Sequence, residues 1–413
     1  MNKRVSSMAA VAGLAISAFA AGGSEADKPQ GFRFFNQHLT IKPYVALSYT
    51  YDSNFDTTHK SEGDSIFCVN PGAEFIWLSD RWSLAGTVWY RWNSYAKYNN
   101  TMGENSYGES LTYKWATSKP NEKGWSLLLG ERYAFINQSD SLDSRDGRGI
   151  WRDRQNIDLS GVLERRFTER WHANLQGQYT WLDYKNDTGN RKYAPLYGWS
   201  EWAVGAEAGY AASAWTDLLI AGGYADYTQK RGQGYRNYSN DSHVWTVQGG
   251  IATRATEKIS YRLLTGVSWL DYGGVANADV GWTYSLSANW RILRQLQWSV
   301  LGSSFYQPSE RTVGQAVKVY ALSTGLSYLT LGDKMTLSAN IAWRREQNVY
   351  ADHYLGNGYD YDEDIMSARI GADYTLNRWM SIFASFIWEN EWCDTKYYEY
   401  DRFRGTVGVR FHY

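Results

Sequence analysis

The chain has 413 residues, of which Trp 21, Tyr 33 and Phe 14 make up 16%, beside 38 Gly, 6 Pro and 2 Cys, at a mean hydropathy of -0.54. Its 42 Lys+Arg and 43 Asp+Glu leave a net charge of -1, which gives no electrostatic basis for binding nucleic acid. Hydrophobic residues at 43% exclude disorder. The roughly 18 consecutive apolar residues of a spanning helix occur nowhere beyond residue 20, which excludes a polytopic helical membrane protein.

Residues 1–20 come first. Lys3 and Arg4 precede an apolar run from Met8 to Phe19, and Ala18-Phe19-Ala20 has the small-x-small form of a cleavage site. This predicts a secretory signal peptide, its apolar run too short for an anchor. Residues 21–38 then read as a periplasmic lead-in.

From Thr40 the period is two. Ile41, Pro43, Val45, Leu47, Tyr49 and Tyr51 share one face, and Lys42, Tyr44, Ala46, Ser48, Thr50 and Asp52 the other. The same alternation predicts strands near 40–52, 65–78, 82–97, 106–116, 124–136, 154–167, 170–184, 199–211, 215–228, 242–254, 258–271, 279–292, 295–306, 315–329, 334–348, 364–376, 378–391 and 401–413. In 124–136 the pattern is imperfect, with Glu131 on the apolar face and Leu128 on the polar one.

The connections alternate in kind. Short ones such as Asp80-Arg81-Trp82, Glu169-Arg170-Trp171 and Asn377-Arg378-Trp379 separate long polar loops over 54–64, 137–153, 185–198, 230–241 and 350–364. Trp77, Trp82, Trp171, Trp290, Trp298 and Trp379 cluster beside the short turns, as an interfacial girdle requires. The predicted fold is all-β: a transmembrane antiparallel up-and-down β-barrel over residues 39–413, of about 18 strands with 16 the next count, short turns and both ends periplasmic, in the bacterial outer membrane. A soluble sandwich or propeller has no reason to make every second connection short.

The last predicted strand alternates Phe403, Gly405, Val407, Val409, Phe411 and Tyr413 with polar residues. Thr406, Gly408, Phe411 and Tyr413 resemble the carboxyl-terminal assembly signal of bacterial outer-membrane proteins, and the segment Thr40 to Asn54 is similar to the opening strand of a β-barrel porin family. The resemblance implies the barrel-assembly machinery as a partner, reading the last strand, with lipid and lipopolysaccharide around the barrel. It names no substrate. Closure of the last strand on the first removes an edge that lipid cannot hydrogen-bond.

Alternation assigns Arg91, Arg369, Arg402, Arg404, Arg410, Asp183, Glu201 and Glu207 to the pore lining, with acids concentrated on strands six to nine and arginines on the last three and the third to fifth. Opposite walls of opposite sign would set a transverse field that favours small polar solutes; the alternative is that the charges pair and plug the lumen. The loop 137–153, with Asp140, Asp143, Arg145, Asp146, Arg148 and Trp151, is similar in place and charge to the inward constriction loop of general porins; an ordinary surface loop has the same composition. Inward rings at Tyr44, Trp89, Tyr95 and Phe305 offer sugars a stacking face, or pack on arginine.

Asp360, Asp362, Glu363 and Asp364 are oxygen ligands in number but lack the spacing of a calcium loop, so no metal or cofactor is expected. The six histidines lack metal-ligand or catalytic spacing, which makes an enzyme the third reading. Cys68 and Cys393 lie about three strand spacings apart, near 14 Å, so two thiols are the first expectation, with a disulfide the alternative if the loop bearing Cys393 bends to close the gap. The function predicted is a porin-like channel for passive diffusion of small hydrophilic solutes, with a plugged barrel serving as anchor, adhesin or receptor as the alternative. Solute identity and oligomeric state stay open.

Overall fold

The protein is seen in a computed structural model that describes residues 31–36, 38–54, 63–97, 105–118, 122–136, 153–184, 198–229, 241–272, 279–308, 316–349, 362–393 and 399–413. The expected signal peptide, most of the lead-in and the constriction-loop residues Asp140, Asp143, Arg145, Asp146, Arg148 and Trp151 lie outside these residues.

The first element is the short strand β1 (Phe32–Phe34). The strands that follow are β2 (Leu39–Asp52), β3 (Asp64–Leu78), β4 (Trp82–Tyr95), β5 (Asn105–Ala116), β6 (Gly124–Ile136), β7 (Arg154–Arg166), β8 (Trp171–Tyr184), β9 (Trp199–Ala211) and β10 (Thr216–Gln229). The second half comprises β11 (Asp241–Thr253), β12 (Ile259–Tyr272), β13 (Asp279–Arg291), β14 (Leu296–Pro308), β15 (Ala316–Thr330), β16 (Met335–Val349), β17 (Glu363–Asn377), β18 (Met380–Cys393) and β19 (Tyr400–His412). Each of the 18 strands β2 to β19 pairs antiparallel with its neighbours in sequence, and β19 closes on β2 through pairs from Arg404↔Asp52 to His412↔Tyr44. The result is a closed barrel in which every strand matches one read from alternation.

Alternation sorts the side chains. Large apolar groups on the outward face, among them Val45, Val88, Leu159, Val204, Ile341 and Ile370, are exposed, whereas the inward positions are mostly polar. An apolar surface that encircles the whole barrel suits hydrocarbon and not water. Rings gather beside the short connections: Trp77 lies 5.7 Å from Trp82, Trp171 4.9 Å from Tyr210, Trp290 6.2 Å from Trp298 and Trp379 5.4 Å from Tyr413.

The seam of first and last strands is fastened at both rims. At the long-loop rim Arg402 donates to both carboxylate oxygens of Asp52, its Nε at 2.9 and 3.1 Å, with the two side chains 3% and 0% exposed. At the short-turn rim β1 pairs with the part of β2 that extends beyond β19, Phe32 opposite Ile41, and the Gly31 N–H donates to the Tyr413 carbonyl at 3.0 Å. Phe32 also stacks on Tyr413 at 4.1 Å. The lead-in thus contributes a strand that the sequence did not announce, because three residues are too few to display a period.

One stretch departs from a simple cylinder. β13 and β14 pair only from Arg291↔Gln297 to Ser285↔Ser303, while β14 continues against β15 to Pro308↔Ala316. Beyond Ser303 the β14–β15 hairpin turns inward. Ser304, Tyr306, Pro308, Ala316 and Lys318, which alternation assigns to lipid, are all buried, and so are Val317 and Val319 on the opposite face. Where main-chain pairing with β13 stops, hydroxyls take over: Thr283 Oγ1 donates to the Ser304 carbonyl at 2.6 Å and Ser304 Oγ to that of Trp282 at 3.3 Å. Polar backbone that lipid cannot satisfy thereby gains partners.

Candidate functional site

The candidate site is the lumen. Arg91, Arg369, Arg402, Arg404, Arg410, Glu201 and Glu207 occupy inward positions of β4, β17, β19 and β9. Asp183 does not. In β8 the inward set is even-numbered, with Leu182 and Tyr184 buried in an apolar cluster, so the pleat turns Asp183 outward at the long-loop rim.

The lumen charges pair in part. Arg262 Nη1 donates to Glu207 Oε1 at 3.1 Å across the inner wall, with a second contact from Nη2 to Oε2. Arg344 Nε donates to Glu346 Oε1 at 2.6 Å, and Arg410 stands 3.8 Å from Asp373. Acids Asp158, Glu164, Glu201, Glu207 and Asp217 do project from β7 to β10, but Arg154 and Arg166 project from β7 beside them. Across the barrel, β17 and β19 present Arg369, Arg404 and Arg410, with Arg91 on β4. Glu363, Asp373, Glu389 and Glu391 stand on that same side, so the β17–β19 wall is mixed in sign and the arginine excess narrows to the neighbourhood of Arg91.

Inward rings lean on small neighbours. Tyr44 lies over Gly72, where a Cβ would come within 2.5 Å of its ring, and Trp89 lies over Gly108 in the same way. Only glycine leaves room for such approach. Arg91 sits 5.7 Å from the centroid of Trp89, and Arg410 5.4 Å from that of Phe383, so these rings are partly engaged by arginine. Tyr95 is buried, and Phe305 lies beside Val319 on the inward-turned hairpin.

The hairpin packs on the inner wall. Tyr306 and Ala316 join Leu182, Tyr184, Trp199, Tyr227, Val244 and Leu270 in one apolar cluster. Tyr227 Oη donates to the Tyr306 carbonyl at 3.0 Å, Tyr306 Oη to Asp279 Oδ2 at 2.6 Å and Lys318 Nζ to Ser268 Oγ at 3.0 Å, and the ammonium lies 3.7 Å from the Tyr306 ring centroid. Sequence reasoning missed this group. Its signal was present in Ser304 and Lys318, polar residues at positions that alternation gives to lipid.

The remaining candidates are not brought together. Arg345 lies between Asp362 at 2.9 Å and Asp364 at 3.5 Å, while Glu363 faces the opposite way; Asp360 lies outside the described residues. No group of metal-ligating residues forms among the described residues. Ser381 Oγ and His412 Nε2 are 3.3 Å apart, and no carboxylate hydrogen-bonds the imidazole among the described residues to orient it as a base. Cys68 and Cys393 are buried and form no disulfide. In the assembly-signal segment Thr406 Oγ1 is 2.8 Å from Thr50 Oγ1, Gly408 lies beneath the Phe383 ring, and Phe411 and Tyr413 face outward at the short-turn rim.

The sequence matches no protein-family model and no curated protein. Among solved structures, the chain is similar to the siderophore receptor PirA from Pseudomonas aeruginosa, at 6% identity and a TM-score of 0.44 over 94% of this chain and 81% of that one. The copper transporter OprC gives 10% identity and a TM-score of 0.43 over 94% and 81%. A loop-deletion variant of OmpT, an outer membrane protein of Vibrio cholerae, gives 11% identity and a TM-score of 0.39 over 91% and 100%.

Proposed function

We propose that the protein is a channel of the bacterial outer membrane through which small hydrophilic solutes diffuse, with its short-turn rim toward the periplasm. The observation that carries this reading is a closed wall of 18 strands whose inward face is polar and charged. Barrels of 16 to 18 strands are wide enough to leave an aqueous channel where smaller ones are filled by their own side chains. Mixed charge around the lumen favours polar over apolar solutes and gives modest ionic selectivity. Lipid and lipopolysaccharide surround the apolar band, and the assembly machinery reads the last strand. No catalytic role is proposed.

A second reading has its own support. Lumen-facing groups toward the long-loop rim, including Asp52, Tyr95, Glu363, Glu389 and Arg402, are each at most 3% exposed. Such burial suits a closed barrel that serves as anchor or loop-presenting receptor. Single-channel recording of the folded protein in a planar bilayer separates the two, after heat-modifiable migration confirms the barrel. Stable steps of nanosiemens order are expected; a folded protein without steps overturns the channel in favour of the anchor.

A further inference from the structure

We infer that the inward-turned β14–β15 hairpin is a constriction built into the barrel wall, latched by Lys318 and Tyr306, and that it sets the size of solute admitted; this rests on the channel reading above. Strand positions make the case first. β14 lies four places from β10 around the barrel, about 19 Å at 4.8 Å per strand, and β15 lies three from β12. Yet Tyr227 Oη reaches the Tyr306 carbonyl at 3.0 Å and Lys318 Nζ reaches Ser268 Oγ at 3.0 Å. Only a hairpin lying inside the wall makes both contacts.

The chemistry explains why it lies there. Left in the cylinder, Lys318 would point into hydrocarbon, where a lysine costs roughly 2–4 kcal/mol at the midplane and less toward the rim. Turned inward, its ammonium gains the Ser268 hydroxyl and the face of Tyr306, while Tyr306 gains Asp279. The wall is shaped to receive it. Gly281 lies beneath Tyr306, where a Cβ would stand 2.5 Å from the phenol oxygen, and Ala225 packs against the same cluster. A second layer of sheet stands about 10 Å from the first, so the hairpin takes a corresponding width from the lumen near the long-loop rim.

Two measurements test this. In Ser268→Glu the new carboxylate lies beside Lys318, and a zero-length carbodiimide is expected to join them in an amide found by mass spectrometry, with Ser268→Gln as the blank. In bilayers, Lys318→Met and Tyr306→Ala are each expected to raise single-channel conductance about twofold and to admit larger sugars in liposome swelling, since the open cross-section grows with the strands left in the wall. Absence of the cross-link in heat-modifiable protein overturns the latch. Unchanged conductance in both variants, with the wild type conducting, overturns the constriction and leaves the channel reading intact. A silent wild type whose variants conduct supports the constriction but removes passive diffusion as the native activity, and silence in all three overturns both.

Discussion

At the scale of single residues, the seam between first and last strands is the most demanding site. Arg402 and Asp52 are removed from water together, and their attraction offsets that cost only while both are present. Asp52→Ala leaves a guanidinium buried without its main counter-charge, and the folded barrel should lose about 3–5 kcal/mol. The midpoint of urea unfolding in detergent or lipid, followed by tryptophan fluorescence, reads this directly; an unchanged midpoint means that water reaches the seam. Residue 183 shows what local reading overlooks. Its strand alternates cleanly, but which of two faces is inward is settled by His172, Leu182 and Tyr184, and counting from them turns Asp183 outward.

Individual strands show how far a pattern tolerates exceptions. Glu131 lies near the middle of β6 on the outward face, opposite Leu111 on β5 and Leu159 on β7, as its sequence position indicates. The register of a strand is set by all its residues, and shifting β6 by one to rescue a carboxylate would bury polar and expose apolar groups along its length. The carboxylate therefore stays where lipid disfavours it, at a cost somewhat below that of a lysine or arginine. Glu131→Leu is expected to stabilise the barrel by about 1 kcal/mol, seen as a higher urea midpoint. A lower midpoint would mean that this face of β5 and β6 has a partner for the acid.

For the whole molecule the issue is the field across the lumen. Arg402 is committed to Asp52, so the field on the last strand is tested at its two other inward arginines, Arg404 and Arg410, the latter with a 39%-exposed side chain. Charge reversal at both, Arg404→Glu with Arg410→Glu, should shift the reversal potential in a salt gradient toward cation selectivity. Because Arg262 with Glu207 and Arg344 with Glu346 already neutralise part of each wall, the shift should be moderate and should shrink at high salt. No shift at low salt would show that these side chains lie off the ion path.

What the sequence determined by itself is the barrel. Period-two alternation, short turns alternating with long loops and tryptophans at one rim are local consequences of a wall with lipid on one side and a polar interior on the other, so each strand records the architecture independently. The pairing of β19 with β2 agrees with what the resemblance of Thr406, Gly408, Phe411 and Tyr413 to an assembly signal implies. What only the tertiary structure decided is the pairing of Arg262 with Glu207 from strands three places apart, the capping of β2 by a β1 too short to show a period, and above all the inward turn of β14–β15. Lys318 and Ser304 break the apolar face of their strands, but a broken pattern does not say where the chain goes instead. That required the hydroxyl of Ser268, the ring of Tyr306 and the space above Gly281, which stand on β12, β14 and β13 and meet Lys318 only because the hairpin folds back over the wall.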